Sequence, residues 1–248
     1  MIKYFKIVVN KFKKQGEFSV ELSKRMNAVV SMVKKCDAVA DIGTDHGYVP
    51  IYIIKNGISK KAFACDVNKG PLEKAKTNIS NYNCSDFIET RLGSGLSVIK
   101  PFEVDTAIIA GMGGMLVIDI LKNSKDTVQS LKQLVLQPQL DIDQVRRYIH
   151  SIGFKIEDEE MLIDEGKYYT VINAVKGNEK YDRDIDYIFG KCLIDKKSDI
   201  LKKYAEFMLN KTENIIKNLS ENNSKSAVNK KNKLEIECKL YREVLECL

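Results

Sequence analysis

Two acids, two glycines and a histidine crowd into one short segment after an apolar run. The segment V-A-D-I-G-T-D-H-G-Y-V-P begins like a β-strand and then places Asp41, Gly43, Asp45, His46 and Gly47 within seven residues. In sheets of parallel strands, the ligand crevice lies at the carboxyl ends of the strands. The loop that starts at Asp41 is therefore a predicted meeting point of ligand and protein.

The charges of this loop discriminate between two kinds of cofactor. A dinucleotide brings a pyrophosphate, which usually meets the backbone N–H groups of a G-x-G-x-x-G turn. The pattern here is D-x-G-x-D-x-G, in which Asp41 and Asp45 would place negative charge beside the phosphates. S-adenosylmethionine has no phosphate and carries a sulfonium cation, so it suits these acids. A dinucleotide oxidoreductase is the least favoured alternative.

Three further strand ends carry residues suited to an adenosine. The second strand ends in A-C-D-V-N, where Asp66 is placed to accept hydrogen bonds from ribose hydroxyls. The segments R-L-G-S-G-L and A-G-M-G-G follow the next two strands, and their glycines let backbone groups approach an adenine. Ordinary strand-to-helix turns are the alternative interpretation. The predicted cofactor-binding residues are Asp41, Gly43, Asp66, Gly93, Ser94, Ala110 and Gly111.

Two other polar groups near strand ends need an interpretation. In L-Q-P-Q, the Gln137 amide is suited to accept a hydrogen bond from an exocyclic amine. His46 is either a site residue or a histidine bonded to local backbone. Asp45 and His46 have no evident third partner for a metal, so no metal site is expected.

Strands and helices must alternate to bring these loops to one edge. Strand-like runs occupy 38–42, 62–66, 87–91, 106–110 and 133–137, with helical patterns at 23–33, 49–56, 70–81, 115–122 and 141–151. Alternation predicts a largely parallel sheet covered on both faces. Two consecutive strands separated by E-G-K then predict an antiparallel hairpin at the edge. The predicted fold class is α/β, a doubly wound, seven-stranded, mostly parallel sheet.

The C-terminal part has a different pattern. Two amphipathic stretches, 198–220 and 234–248, flank a polar linker and predict an antiparallel helical hairpin or coiled coil. The alternative is that both helices cap the sheet. The predicted organisation is a basic extension over 1–20, a sheet domain over 21–178 and a helical domain over 179–248.

Composition limits the classes of function. The net charge of the 248-residue chain is +6, and residues 1–38 hold nine basic and three acidic side chains, so the positive excess lies at the amino end. A polyanionic partner is only weakly indicated. The six cysteines form no C-x-x-C pair and are read as reduced thiols. No apolar run approaches the length of a membrane span, so a soluble cytoplasmic protein without a membrane partner is expected.

Six segments in order resemble the bacterial tRNA adenine-22 N1-methyltransferase family. They are L-S-K-R-M, D-I-G-T-D-H-G-Y-V-P, D-V-N-K-G-P-L-E-K-A, R-L-G-S-G-L, A-I-I-A-G-M-G-G and L-Q-P-Q. The similarity runs from Leu22 to Gly177, and the two-helix tail resembles the coiled-coil domain of that family. The resemblance implies a class I methyltransferase domain, S-adenosylmethionine as donor, and methylation of adenine N1 in the D-arm region of tRNA.

Under that hypothesis three residues serve the reaction. Asp45 would stabilise the positive charge that develops on the methylated ring, Gln137 would accept from the C6 amino group, and Tyr48 would stack on the base. The tRNA partner would be held by Lys24, Arg25, the lysines of 3–14 and those of the tail. The protein is expected to be a monomer or weak dimer.

Two rival functions fit the same pattern. One is a methyltransferase of this fold that acts on a small molecule or a protein. The other is a non-catalytic RNA-binding scaffold that kept the sheet and lost the chemistry. Binding of S-adenosylhomocysteine and activity on bulk tRNA separate these possibilities.

Overall fold

The computed structural model describes residues 20–219 and 225–248, which form two compact units. The first unit runs to Glu160 and includes Tyr169–Glu179. The second consists of Met161–Tyr168 and Lys180–Leu248. Of the basic extension predicted for 1–20, residues 1–19 lie outside the described residues.

Seven strands form one sheet in the order β3-β2-β1-β4-β5-β7-β6. Strands β1 to β5 pair in parallel, and β7 runs antiparallel to β5. This order confirms the predicted doubly wound sheet with an antiparallel edge. The strands are β1 Cys36–Ile42, β2 Ser59–Asp66, β3 Ile88–Leu92, β4 Thr106–Met112, β5 Gln133–Pro138, β6 Phe154–Asp164 and β7 Lys167–Lys176.

The central strands are apolar because helices cover both faces of the sheet. Every residue of β5 is buried, and so are the last four of β1. Val39, Ile109 and Leu136 have no exposed surface. The edge strand β6 instead alternates buried and exposed positions over its first four residues. The core of the first unit therefore lies along β1, β4 and β5, whose ends carry the predicted site.

Helix α1 precedes β1, and helices α2 to α6 connect the strands of the first unit. Helix α1 begins after Ser23, whose hydroxyl accepts from the Met26 N–H at 3.2 Å. The sequence did not predict α5 or a 3₁₀ turn at Gly95–Val98, because both are too short to show a helical period. The helices are α1 Lys24–Ser31, α2 Tyr48–Lys55, α3 Lys69–Asn81, α4 Gly114–Lys122, α5 Lys125–Ser130 and α6 Ile142–Ser151.

The second unit is mainly helical. A π-helical turn at Asp186–Gly190 and α7 (Lys191–Asp195) precede two long helices, α8 (Asp199–Leu219) and α9 (Lys225–Cys247). Helices α8 and α9 pack against each other, which confirms the predicted pair. Their unit has its own core, formed by Ile185, Phe189, Leu193, Ile194, Leu201, Ala205 and Val244.

Parallel pairing places the carboxyl ends of β1 to β5 along one edge of the sheet, here named the carboxyl edge. The opposite edge is named the amino edge. Within the described ranges, no helix is both long enough and apolar enough to cross a membrane. None of the six cysteines, all in described parts of the chain, forms a disulfide.

Candidate functional site

Asp41 is a buried carboxyl group near the end of β1. Only 7% of its surface is exposed, and burial raises its pKa from the ordinary 3.8 to about 6. The charges of Asp66 and Asp45 add to this rise, while the Thr44 hydroxyl partly offsets it. Because burial disfavours the ionised form, a cationic or hydrogen-bond-donating ligand would stabilise the carboxylate.

Gly43 brings the chain close to two neighbouring strands. Its N–H and that of Thr44 both donate to the Cys65 carbonyl in β2, at 2.8 and 2.9 Å. Its φ is +78°, and a Cβ at this position would lie 2.2 Å from Cε of Met112 at the end of β4. The turn therefore favours glycine for its backbone conformation, and a side chain here would also displace the flexible end of Met112.

Asp66 lies on the strand next to Asp41. Its Oδ1 accepts from the Asn68 N–H at 2.6 Å, which fixes the carboxylate at the end of β2. Its carbonyl accepts from the Gly93 N–H at 2.9 Å, and the ends of β2 and β3 are thereby joined. Ser94 follows, with its carbonyl bonded to the Ser97 hydroxyl at 2.7 Å. The structure thus brings Asp41, Asp66, Gly93 and Ser94 to the carboxyl edge.

A second group forms at the start of α2. Oδ1 of Asp45 lies 3.2 Å from Nε2 of His46, and the Asp45 carboxylate is half exposed. The imidazole stacks on the Tyr48 ring with 6.0 Å between centroids. The His46 carbonyl also accepts from the Asn78 amide at 2.9 Å. The imidazole of His46 therefore faces the predicted catalytic carboxylate, while its carbonyl is bonded to a side chain of α3.

Gln137 lies inside the protein at the end of β5. It has no exposed surface, and its Oε1 accepts from Nη1 of Arg25 at 2.5 Å. Its Nε2 donates to the Pro138 carbonyl at 3.3 Å. Beside it on β4, the pairing register shifts between Ala110 and Met112. Ala110 and Gly111 are thus at the carboxyl edge, but the Gln137 amide is enclosed and bonded within the chain.

Arg25 is not a surface residue, so the expectation that it contacts RNA phosphates is wrong. Only 6% of it is exposed, and its guanidinium centre lies 5.3 Å from the centroid of the Tyr169 ring. The signal for burial was present in the sequence. Arg25 precedes Val29 by four residues and so shares the buried stripe of α1. No sequence pattern indicated that Met112 lies beside the Gly43 turn.

A cleft of about 620 Å³ lies at the amino edge, away from these residues. Charged side chains around it pair with each other. Lys60 contacts Asp37 at 2.7 Å, and Lys132 contacts Asp105 at 2.8 Å. None of the predicted site residues lines this cleft. Among the described residues, no cluster of three potential metal ligands occurs.

The carboxyl edge fits S-adenosylmethionine better than a dinucleotide. The loops at 41–48, 66–68 and 110–114 contain no lysine or arginine, and they present Asp41, Asp45 and Asp66. Diphosphate oxygens would meet three carboxylates, whereas a sulfonium and an ammonium would be attracted to them. The Gly43 turn, which a side chain would obstruct, leaves backbone accessible to a flat nucleoside.

Comparison with known proteins agrees with this assignment. A family model described as a methyltransferase domain matches residues 22–172. The tRNA (adenine(22)-N(1))-methyltransferase of Bacillus subtilis strain 168 is 33% identical over 212 residues, 82% of this chain and 87% of that protein.

Solved structures of similar proteins share the fold over most of the chain. The structure of a B. subtilis m1A22 tRNA methyltransferase aligns with a TM-score of 0.82 and 30% identity, covering 91% of this chain and 99% of that one. A Mycoplasma structure (M. capricolum) in complex with the cofactor product S-adenosylhomocysteine aligns with a TM-score of 0.81 and 27% identity, covering 91% and 98%.

Proposed function

Because the chain belongs to the tRNA (adenine-22-N1)-methyltransferase family, we propose that it methylates N1 of adenine 22, in the D-arm region of tRNA, with S-adenosylmethionine as donor. One observation in this chain carries the proposal. Carboxyl groups at the ends of the adjacent strands β1 and β2, Asp41 and Asp66, flank a glycine turn in loops that have no lysine or arginine.

The reaction depends mainly on the alignment of the adenine with the methyl group of the cofactor. S-adenosylmethionine, when bound, supplies a methyl group whose bond to a sulfonium sulfur breaks as a bond to nitrogen forms. Adenine N1 has an in-plane lone pair and carries no proton, so no side chain must act as a general base. The protein must hold the base in line and stabilise the positive charge that the ring gains.

The residues at the ends of β1 to β4 are assigned to the cofactor. Asp66 is held by the Asn68 N–H in a position to accept from ribose hydroxyls. Asp41 faces the cationic end of the cofactor. Because burial raises the pKa of this carboxyl group, a positive partner favours its ionised form. Backbone groups form the remaining surface, which comprises Gly43, Gly93, Ser94, Ala110 and Gly111.

The residues at the start of α2 are assigned to the target base. The exposed carboxylate of Asp45 stabilises the positive ring as the methyl group is transferred, and Tyr48 stacks on the base. Gln137 acts differently, because Arg25 already occupies its Oε1. Its role is to hold Arg25 and the end of β5 rather than to contact the adenine.

Binding of tRNA is assigned to exposed lysines. Those of the second unit include Lys202, Lys203, Lys211, Lys230 and Lys233, and Lys24 is exposed in the first. The lysines of 3–14 lie outside the described residues. Contacts of lysine with phosphate weaken as salt increases. With tRNA as the substrate, we propose that the reaction takes place in the cytoplasm.

Nucleoside mass spectrometry tests the function directly. Unmodified tRNA is incubated with the protein and a donor labelled in its methyl group, digested, and searched for labelled 1-methyladenosine. Primer extension on the same tRNA should stop at adenine 22, and a tRNA with guanine 22 is the matched control. Label in another nucleoside, or a stop elsewhere, would discard the assignment.

The same materials separate the rival functions. A scaffold without chemistry would bind tRNA and show no heat with S-adenosylhomocysteine in calorimetry. A methyltransferase for small molecules or proteins would bind S-adenosylhomocysteine and leave tRNA unlabelled. The proposal requires both binding of S-adenosylhomocysteine and labelled tRNA.

A further inference from the structure

Three large apolar side chains are exposed to solvent at the ends of β4 and β5. Met115, Leu116 and Leu140 are 49%, 52% and 67% exposed. Met115 and Leu116 lie in the first turn of α4, and Leu140 lies in the loop after β5. We name these three side chains the apolar ledge. Isolated exposed leucines are common, but a group of them at a ligand-binding edge indicates an interaction surface.

The two loops that carry the ledge are bound to each other. The Gly114 N–H donates to the Leu140 carbonyl at 3.0 Å, and the Gln139 N–H donates to the Met112 carbonyl at 2.8 Å. A Cβ on Gly114 would lie 2.3 Å from that Leu140 oxygen, so only glycine permits this approach. The ledge is therefore held in place by backbone contacts at its base.

The position of the ledge assigns it to the methyl acceptor. Asp41 and Asp66, assigned to the cofactor, lie at the ends of β1 and β2, whereas the ledge lies at the ends of β4 and β5. The two groups share the carboxyl edge. Asp141 follows Leu140 directly and is exposed, and Asp143 lies two residues further on. Their charge disfavours phosphate at this place and leaves the faces of bases as the suitable contact.

We propose that the apolar ledge packs against unpaired bases of the tRNA next to the target adenine. The proposal rests on the proposed function. Adenine N1 lies on the Watson–Crick edge, so the target must leave its pair and stack before it reacts, and its neighbours lose a stacking partner. Exposed bases pack their faces on apolar and aromatic side chains. Three side chains are too few for a stable dimer surface, which needs about 20–30 residues on each side.

Packing of bases and binding of phosphates differ in their response to salt. Phosphate contacts displace counterions, so the loss of a lysine contact reduces the slope of log affinity against log salt. Contacts of apolar side chains with bases displace no counterions. Changing the ledge should therefore weaken tRNA binding by the same factor at every salt concentration.

The test measures tRNA affinity by fluorescence anisotropy across a series of KCl concentrations. The double variant Leu116→Ser/Leu140→Ser should bind unmodified tRNA at least about tenfold more weakly with an unchanged salt slope, as expected for lost stacking contacts. The variant Leu140→Trp should bind more tightly. Phe102→Ser is the matched control, because Phe102 is 88% exposed but precedes β4 at the amino edge.

The outcomes separate this proposal from the proposed function. Calorimetry with S-adenosylhomocysteine should give wild-type affinity for every variant. Three results would overturn the proposed role of the ledge: wild-type tRNA affinity in the double variant, a reduced salt slope, or an equal loss of affinity in Phe102→Ser. The proposed function would still stand if the wild-type protein labelled tRNA. A wild-type protein that neither binds nor labels tRNA would overturn both.

Discussion

Nη1 of Arg25 lies 2.5 Å from Oε1 of Gln137 and donates a hydrogen bond to it, which joins α1 to the end of β5. Gln137 has no exposed surface and Arg25 has only 6%. The guanidinium also lies over the Tyr169 ring of β7. One buried side chain near the start of the domain thus fixes the position of a strand end 112 residues later in the chain.

Replacing Arg25 by methionine should destabilise the protein by about 2–4 kcal/mol, because the buried Gln137 oxygen loses a charged donor. The measurement is the midpoint of urea unfolding at pH 7. Lys24→Met is the matched control, since Lys24 is the exposed neighbour on the same helix. Equal midpoints for wild type and Arg25→Met would show that the contact adds nothing to stability.

A second buried contact makes a different prediction. Nε of Arg146 lies 2.7 Å from Oε1 of Glu159, with 1% and 0% of the side chains exposed. Arg146→Met alone should cost about 3–5 kcal/mol, because the buried carboxylate loses the guanidinium that is bonded to it. The double variant Arg146→Met/Glu159→Leu should recover most of that loss. Unfolding midpoints that fall additively in the double variant would contradict the coupling.

Most of the sheet could be predicted because its central strands are buried on both faces. Such strands are continuous apolar runs, and β1 and β5 were found within two residues of their observed ends. Short elements could not be predicted. Helix α5 has six residues and α7 has five, and a helical period needs a longer window.

The sequence could predict those site residues that lie at the ends of strands. Asp41 and Asp66 were expected together because parallel neighbours end at the same edge, and the charge of Asp66 contributes to the raised pKa of Asp41. The pairing of Arg25 with Gln137 leaves no local pattern, because tertiary packing alone brings residues so far apart in sequence together. The spacing of Arg25 and Val29 indicated burial, but the basic region around Arg25 led to its interpretation as a surface contact.

Gly43→Ala should weaken binding of S-adenosylhomocysteine at least about tenfold, measured by calorimetry, because both the turn and the Met112 side chain must shift. Gly57→Ala is the matched control. Gly57 has a similar φ of +64° but no atom within 4 Å of a Cβ. Both variants should lose about 1–2 kcal/mol of stability to backbone strain. Equal cofactor affinity in the two variants would contradict a role for the Gly43 turn.

Asp41 should make cofactor binding depend on pH. Its folded pKa of about 6 leaves roughly a tenth of the carboxyl groups ionised at pH 5 and most of them at pH 7. Affinity for S-adenosylhomocysteine, which carries an ammonium, should rise about tenfold over this range. Asp41→Asn should remove that rise. A pH profile of Asp41→Asn that follows the wild type would assign the titration to another group.

The same shift has a consequence for stability of the protein without ligand. A carboxyl whose pKa is raised by folding stabilises the fold below its unfolded pKa, near 3.8, and that contribution is lost as pH rises through about 6. Asp41→Asn should therefore unfold at a higher urea concentration than wild type at pH 7. Near pH 4 the two midpoints should approach each other. A variant that is less stable than wild type at pH 7 would contradict the assigned cause, which is burial.

Asp45 should affect the rate of methyl transfer and not the binding of either substrate. Its carboxylate is half exposed, so water screens it, and Asp45→Asn should lower kcat about tenfold, equivalent to about 1.4 kcal/mol of transition-state stabilisation. The affinity for S-adenosylhomocysteine and the KM for tRNA should stay at wild-type values, because the ring becomes positive only during the reaction. Asp86→Asn, which changes an exposed acid just before β3 at the amino edge, is the matched control. The measurement is the single-turnover rate of labelled methyl transfer. Equal rates for Asp45→Asn and Asp86→Asn would contradict the proposal that Asp45 stabilises the positive charge on the adenine.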